Sequence, residues 1–102
     1  MAAAPYLKDG KWTIDKDPED KRYYVADITN DLTDSGTTAA SVTCVVAGVS
    51  IIEGPEIQGS LIVVKLGGLD TAPDAVNYCT FRVICANTEQ FDRTIYFNRV
   101  DN

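Results

Sequence analysis

The 102-residue sequence contains no histidine, and this absence removes more chemistry than any motif in it suggests. A serine or cysteine nucleophile activated by an imidazole cannot be assembled, and three cysteines alone lack the ligands and the spacing of a zinc site. No apolar run approaches the roughly 18 residues that a membrane-spanning helix needs. The opening "MAAAPYLKDG" has neither the basic start nor the apolar middle of a signal peptide. The chain therefore reads as cytosolic when made, with no membrane partner. Positive charge is also scarce, with 9 basic against 15 acidic side chains and a net charge of −6. Apart from Lys21-Arg22 the basic residues stand singly, so no face is offered to a row of phosphates and no nucleic-acid partner is expected. A sustained 3.6-residue period, an internal repeat and a low-complexity tract are absent too. Carboxylates are plentiful, but no spacing marks an acid/base pair, and the chain is expected to be no enzyme and to hold no cofactor.

Cysteine is sparse and oddly numbered. Cys79 and Cys85 lie on one predicted strand, about 20 Å apart at roughly 3.3 Å per residue, which is beyond disulfide reach. Cys44 could face one of them across a sandwich, leaving an unpaired cysteine, whereas small secreted domains arrange even frameworks. The expectation is three reduced cysteines packing as small hydrophobes.

What is present is period-two alternation. Cys79, Phe81, Val83 and Cys85 share one strand face with the polar Thr80 and Arg82 between them, and Ile95 and Phe97 share a face after the polar break Asn87-Thr88-Glu89-Gln90. These two runs read as an antiparallel hairpin. Val42, Cys44 and Val46 share another face, as do Ile62, Val64 and Leu66, and these six together with Phe81, Val83, Ile95 and Phe97 are expected in one core. Tyr23 to Ile28 alternates as well. "TNDLTDSGTTAA" reads as a loop anchored by Leu32, Gly54-Pro55 as a chain turn, and Gly67-Gly68 as a strand end. About seven short strands separated by turn signals argue for an all-β, two-sheet antiparallel sandwich of residues 21–102, preceded by an N-terminal arm or edge segment of residues 1–20.

Other constellations read as structure. Asp15, Asp17 and Glu19 alternate like the opening of a calcium loop, but Asp20 stands where that loop needs Gly and Ala26 where it needs Glu. No metal is expected there. Asp92 and Arg93 point to opposite faces of a strand, so each is expected to meet a charge across the sheet rather than its neighbour. Tyr6 and Trp12 are large aromatics on a polar, weakly patterned segment, and they are the candidate partner contacts.

Two longer stretches, "DPEDKRYYVADITNDLTDSGTTAASVTCVVAGVSII" and "IVVKLGGLDTAPDAVNYCTFRVICANTEQFDRTIYFNRV", resemble the small immunoglobulin-like virion proteins of tailed phages, the fibre-tail adaptor and related head-tail proteins. The elements carrying the resemblance are Asp17-Pro18, the Tyr24 to Asp27 strand, Ala40-Ser41-Val42, Val64 to Gly68, and Arg93-Thr94-Ile95. The resemblance implies an immunoglobulin-like sandwich that serves as a structural or assembly component without catalysis. Its implied partners are tail, head or connector proteins of the particle and copies of itself, and its implied location is the virion, with the host bacterial cytoplasm during assembly. The alternative reading is a free-standing immunoglobulin-like module that recognises carbohydrate or a cell surface. Tyr78 stands near the place of the tyrosine corner of immunoglobulin-like domains, with Cys79 one position early for the antibody pattern.

With the cysteines reduced, all three thiols are expected to react with a thiol reagent after denaturation without reductant. A single reactive thiol would show that Cys44 is bridged.

Overall fold

Where successive side chains alternate between two faces, two sheets can close over one apolar layer, and the strands of this chain do so. The computed structural model describes the backbone of residues 6–8 and 11–100 and the side chains of residues 12–100. Its elements in chain order are β1 (Tyr6–Lys8), β2 (Lys11–Lys16), β3 (Arg22–Asp27), α1 (Thr29–Ser35), β4 (Ala39–Ala47), β5 (Ser50–Gln58), β6 (Leu61–Gly67), β7 (Asn77–Cys85) and β8 (Gln90–Arg99). One sheet has the order β1-β2-β8-β7-β4 and the other β3-β6-β5. The triplets β3-β6-β5 and β8-β7-β4 follow the B-E-D and G-F-C order of an immunoglobulin-like sandwich. The fold is an all-β sandwich of the seven strands β2 to β8, with β1 added at one edge.

The pairing is not antiparallel throughout. β2 runs parallel to β8, with Ile14 opposite Phe97, because the chain leaves β2 to cross into the other sheet instead of folding back on a neighbour. Lys16 ends β2 facing inward, fully buried, and its ammonium donates to the carbonyl oxygens of Asp17 at 3.2 Å and Asp20 at 2.6 Å. Burial lowers its pKa, and the charges of Asp20 and Asp17 act against that shift.

Ile62, Val64 and Leu66 of β6 face Phe81 and Val83 of β7 and Ile95 and Phe97 of β8, all buried. Each such side chain contributes about 1.5–3 kcal/mol by leaving water. Ile14, Tyr24, Ala26, Ile28, Leu32, Val49, Cys79 and Cys85 complete the core. Val42, Cys44 and Val46 point inward but are only partly buried, since β4 lies at the edge of the wider sheet. The thiols are all free. Cys44 does not meet another cysteine across the sandwich: it sits on β4 beside β7, diagonal to Cys79 in the same sheet, because Val46 pairs with Cys79 and Cys44 with Phe81.

Two loop expectations give way to regular structure. "TNDLTDSGTTAA" contains the seven-residue helix α1, which buries Leu32 and ends at Gly36 in the left-handed region, whose N–H bonds the carbonyl of Thr33. A helix of two turns needs only one apolar anchor, too little for a visible period. Gly54-Pro55 does not turn the chain either. β5 runs through it, with register shifts between Ile51 and Glu53 and between Glu53 and Glu56. As an edge strand, β5 can lose a ladder donor at a bulge. The polar break of the β7–β8 hairpin places Thr88 at positive φ (72°), while Asn87 uses its side chain to accept from the Glu89 N–H at 3.1 Å and to donate to the Ser35 carbonyl. Tyr78 lies on the outer face, its ring 6.2 Å from that of Tyr96.

At Gly48 (φ +75°) a Cβ would sit 1.7 Å from Asn77 Oδ1, so only glycine leaves room for the Asn77 amide. That buried amide bonds both the N–H and the carbonyl of Asp70, each at 3.1 Å, and so fixes the loop between β6 and β7.

Tyr24 is 1% exposed, and its ring meets Phe97 edge-on with centroids 5.3 Å apart. Among the described residues its hydroxyl is a buried polar atom without a hydrogen-bond partner. Burial pushes its pKa up to about 12, the charge of Asp20 adding to the shift. Unfolded, the phenol ionises near pH 10. Between pH 10 and 12 the unfolded chain therefore binds fewer protons than the folded one, and stability falls as pH rises, by roughly 2–3 kcal/mol at full effect. Tyr24→Phe is expected to stabilise the fold by about 1 kcal/mol in urea unfolding at neutral pH and to remove this part of the alkaline loss.

Candidate functional site

β2, next to the edge strand β1, and the edge strand β3 lie on the same side of the sandwich, and the space between them forms the main candidate site. Trp12 shares the inward face of β2 with Ile14 and Lys16, but it reaches past the closed core and is 51% exposed. It lines a groove of about 500 Å³ together with Val25, Ala26 and Asp27 of β3, Ile95 of β8 and Asp31 of α1. The apolar part of the lining follows from alternation: Trp12 and Ile95 come from the inner face of one sheet and Ala26 from that of the other.

Polar groups close the end of the groove beside α1. The Arg93 guanidinium forks onto the Asp31 carboxylate, with Nε donating to Oδ2 at 2.9 Å and Nη2 donating to Oδ1. A third donor, Nη1, reaches the Asp92 carbonyl at 2.8 Å, and the guanidinium lies 5.3 Å from the Phe91 ring centre. Asp27 accepts from the Thr29 hydroxyl and from the Thr29 N–H at 2.9 Å, and these bonds hold its carboxyl below the usual range. Thr29 Oγ1 in turn accepts from the Ser60 hydroxyl at 2.8 Å, which ties α1 to the start of β6. The groove thus has an aromatic and aliphatic wall, one neutralised ion pair, and one carboxylate that stays ionised and is a poor base. Such an arrangement suits non-covalent contact.

A second concavity, about 420 Å³, lies on the outer face of the three-stranded sheet between Tyr23, Glu53, Glu56 and Val63. The Tyr23 hydroxyl donates to Glu53, which raises the Tyr23 pKa, and the Lys65 ammonium stands 5.4 Å from the Tyr23 ring centre. Among the described residues no three His, Cys, Asp or Glu side chains gather as a metal site. Asp17 instead accepts from the Glu19 N–H at 2.8 Å in the turn between β2 and β3.

Of the two residues singled out by aromatic character, the structure places Trp12 on the groove. Tyr6 is opposite Thr13 on the neighbouring strand β1, and its side chain lies outside the described residues, as do residues 1–5 and 9–10 of the same segment. Asp92 and Arg93 each meet a separate charge: Arg82 Nε donates to Asp92 at 3.0 Å across the β7–β8 ladder, and Arg93 reaches α1. Sequence reasoning did not connect Arg93, Asp31 and Asp27 with Trp12. The Arg93 and Asp31 positions are 62 residues apart, and no local pattern carries such a pairing.

No family model matches the chain, and neither a curated protein nor a solved structure matches it.

Both partners of the Arg93 pair remain partly exposed, so Arg93→Ala is expected to cost only about 0.2–1 kcal/mol in urea unfolding. Because Trp12 is the single tryptophan, its emission should also shift or change intensity in that variant, reporting that the end of the groove has opened.

Proposed function

We propose that this chain is a non-enzymatic structural or assembly protein of a tailed phage or prophage particle, acting through protein–protein contacts made at the Trp12 groove. The reading is carried by one observation, a tryptophan left half-exposed on the wall of an inter-sheet groove. A side chain of that size is rarely left in water without a use, and interface centres favour Trp because it brings a large area of contact with few rotatable bonds. Further support comes from the resemblance of the chain's two long stretches to immunoglobulin-like virion proteins, and from a groove chemistry that offers contact and no nucleophile. On this reading the partners are tail, head or connector proteins, and the chain resides in the virion, or in the host bacterial cytoplasm during assembly.

The second reading is a free-standing module that binds carbohydrate or a cell surface. It is favoured by the same ring, since a sugar can stack on Trp12 with Asp27 beside it to accept its hydroxyls.

Trp12→Ala separates the two. The assembly reading expects a melting temperature within a few degrees of the parent, together with loss of incorporation into particles or of co-purification with a tail or head protein. The carbohydrate reading expects saturable changes in Trp12 emission when the parent chain is titrated with neutral oligosaccharides, and loss of that binding, by calorimetry, in Trp12→Ala. Unimpaired assembly of the variant would remove the groove from the interface.

A further inference from the structure

The edges of the two sheets are treated unequally. An exposed edge strand offers unpaired N–H and C=O groups to any extended chain, and proteins blunt such edges with short strands, charges, prolines and bulges. β1 has three residues. β3 has six and carries Arg22 and Asp27 at its ends. β5 carries Glu53 and Glu56, Pro55 and two register shifts. β4 has none of these over most of its length. It is nine residues long, "AASVTCVVA", with no charge, proline or glycine. Its one register shift lies between Ala39 and Ser41, leaving Ser41 to Ala47 regular. The apolar groups on both of its faces are incompletely covered. Val42, Cys44 and Val46 face inward only partly buried, while on the outer face Val45 is 67% exposed and Ile84, on the adjoining β7, is 42% exposed.

We propose that β4 is the interface through which two copies of this chain associate, pairing antiparallel about a two-fold axis at Thr43, so that the two five-stranded sheets continue into one. A second copy is favoured by the pattern of the strand, which is uncharged and self-complementary. The net charge of −6 opposes self-association elsewhere on the surface, but β4 carries no charge, so two copies paired there set no like charges against each other. With Thr43 opposite Thr43, the regular stretch of one strand meets that of the other so that Val42 faces Cys44 on the inner face, twice by symmetry, while Ser41 meets Val45 on the outer face. Apolar inward groups thus oppose apolar inward groups, and the axis carries a Thr–Thr pair, a favourable cross-strand combination. The next charge in the axial row is Arg82, opposite Thr43 in the β4–β7 register and already neutralised by Asp92 at 3.0 Å. Two threonines separate it from its symmetry mate. This interface lies on the side of the sheet away from β2 and does not depend on the function assigned to the Trp12 groove.

The test uses the full chain in sedimentation equilibrium over a wide range of concentration. The parent is expected to pass from monomer toward twice that mass as concentration rises. Thr43→Lys and Thr43→Glu, which set like charges against each other at the axis, should each weaken association by roughly tenfold or more, and an equimolar mixture of the two should recover it. Thr43 is exposed, so melting and Trp12 emission should stay at parental values. If either variant melts early, Val45→Lys on the same edge replaces it. A parent that stays monomeric throughout, a dimer indifferent to these substitutions, or a mixture no stronger than its components would overturn the proposal.

Discussion

The parallel pairing of β2 with β8 is the constraint on which the rest of this molecule depends. It brings the start of the chain into the wider sheet, places Ile14 against Phe97 in the core, and obliges the backbone to cross to the other sheet between Lys16 and Arg22. That crossing is held by a lysine taken out of water. Burial of an ammonium is costly, and here it is offset by the carbonyl oxygens of Asp17 and Asp20 and by the negative charge of both residues. The buried side chain thus also sets the geometry of the turn.

The groove follows from the same pairing. Because β2 lies beside β8 rather than on β3, the two sheets are not joined by a ladder on that side, and a gap stays open between β3 and the β2–β8 pair. Trp12, one step up the inner face from Ile14, then stands at that gap instead of in the core. The Arg93 fork onto Asp31 and the Thr29 bonds to Asp27 and Ser60 hold α1 across its end. These contacts join partly exposed groups, so they orient the groove more than they stabilise the fold.

Much of the core was legible because strand alternation is a local property of a sequence. Ile62, Val64, Leu66, Phe81, Val83, Ile95 and Phe97 each lie in a period-two run, and the runs meet as expected. The misreadings have local causes as well. The loop around Leu32 hid a helix of two turns, too short to display a period, and Gly54-Pro55 resembled a turn because the same residues make turns and bulges. Ile14, Tyr24 and Ile28 were harder to assign to the core. Their burial depends on which strand lies opposite, and β2 and β3 are short runs bounded by charges.

By itself the sequence determined the all-β class, the faces of the longer strands, the reduced state expected of three badly spaced cysteines, and the absence of imidazole chemistry. These follow from composition and from short-range periodicity, which a chain carries whatever its topology. Only the tertiary structure decided that β2 joins β8 in parallel, that Cys44 lies beside Cys79 rather than across from it, and that Arg93 meets Asp31. It alone showed β4 as the unguarded edge. Each of these depends on the order and direction of strands distant in the chain. That order is set by how two whole sheets bury their apolar faces together, and no single segment encodes it.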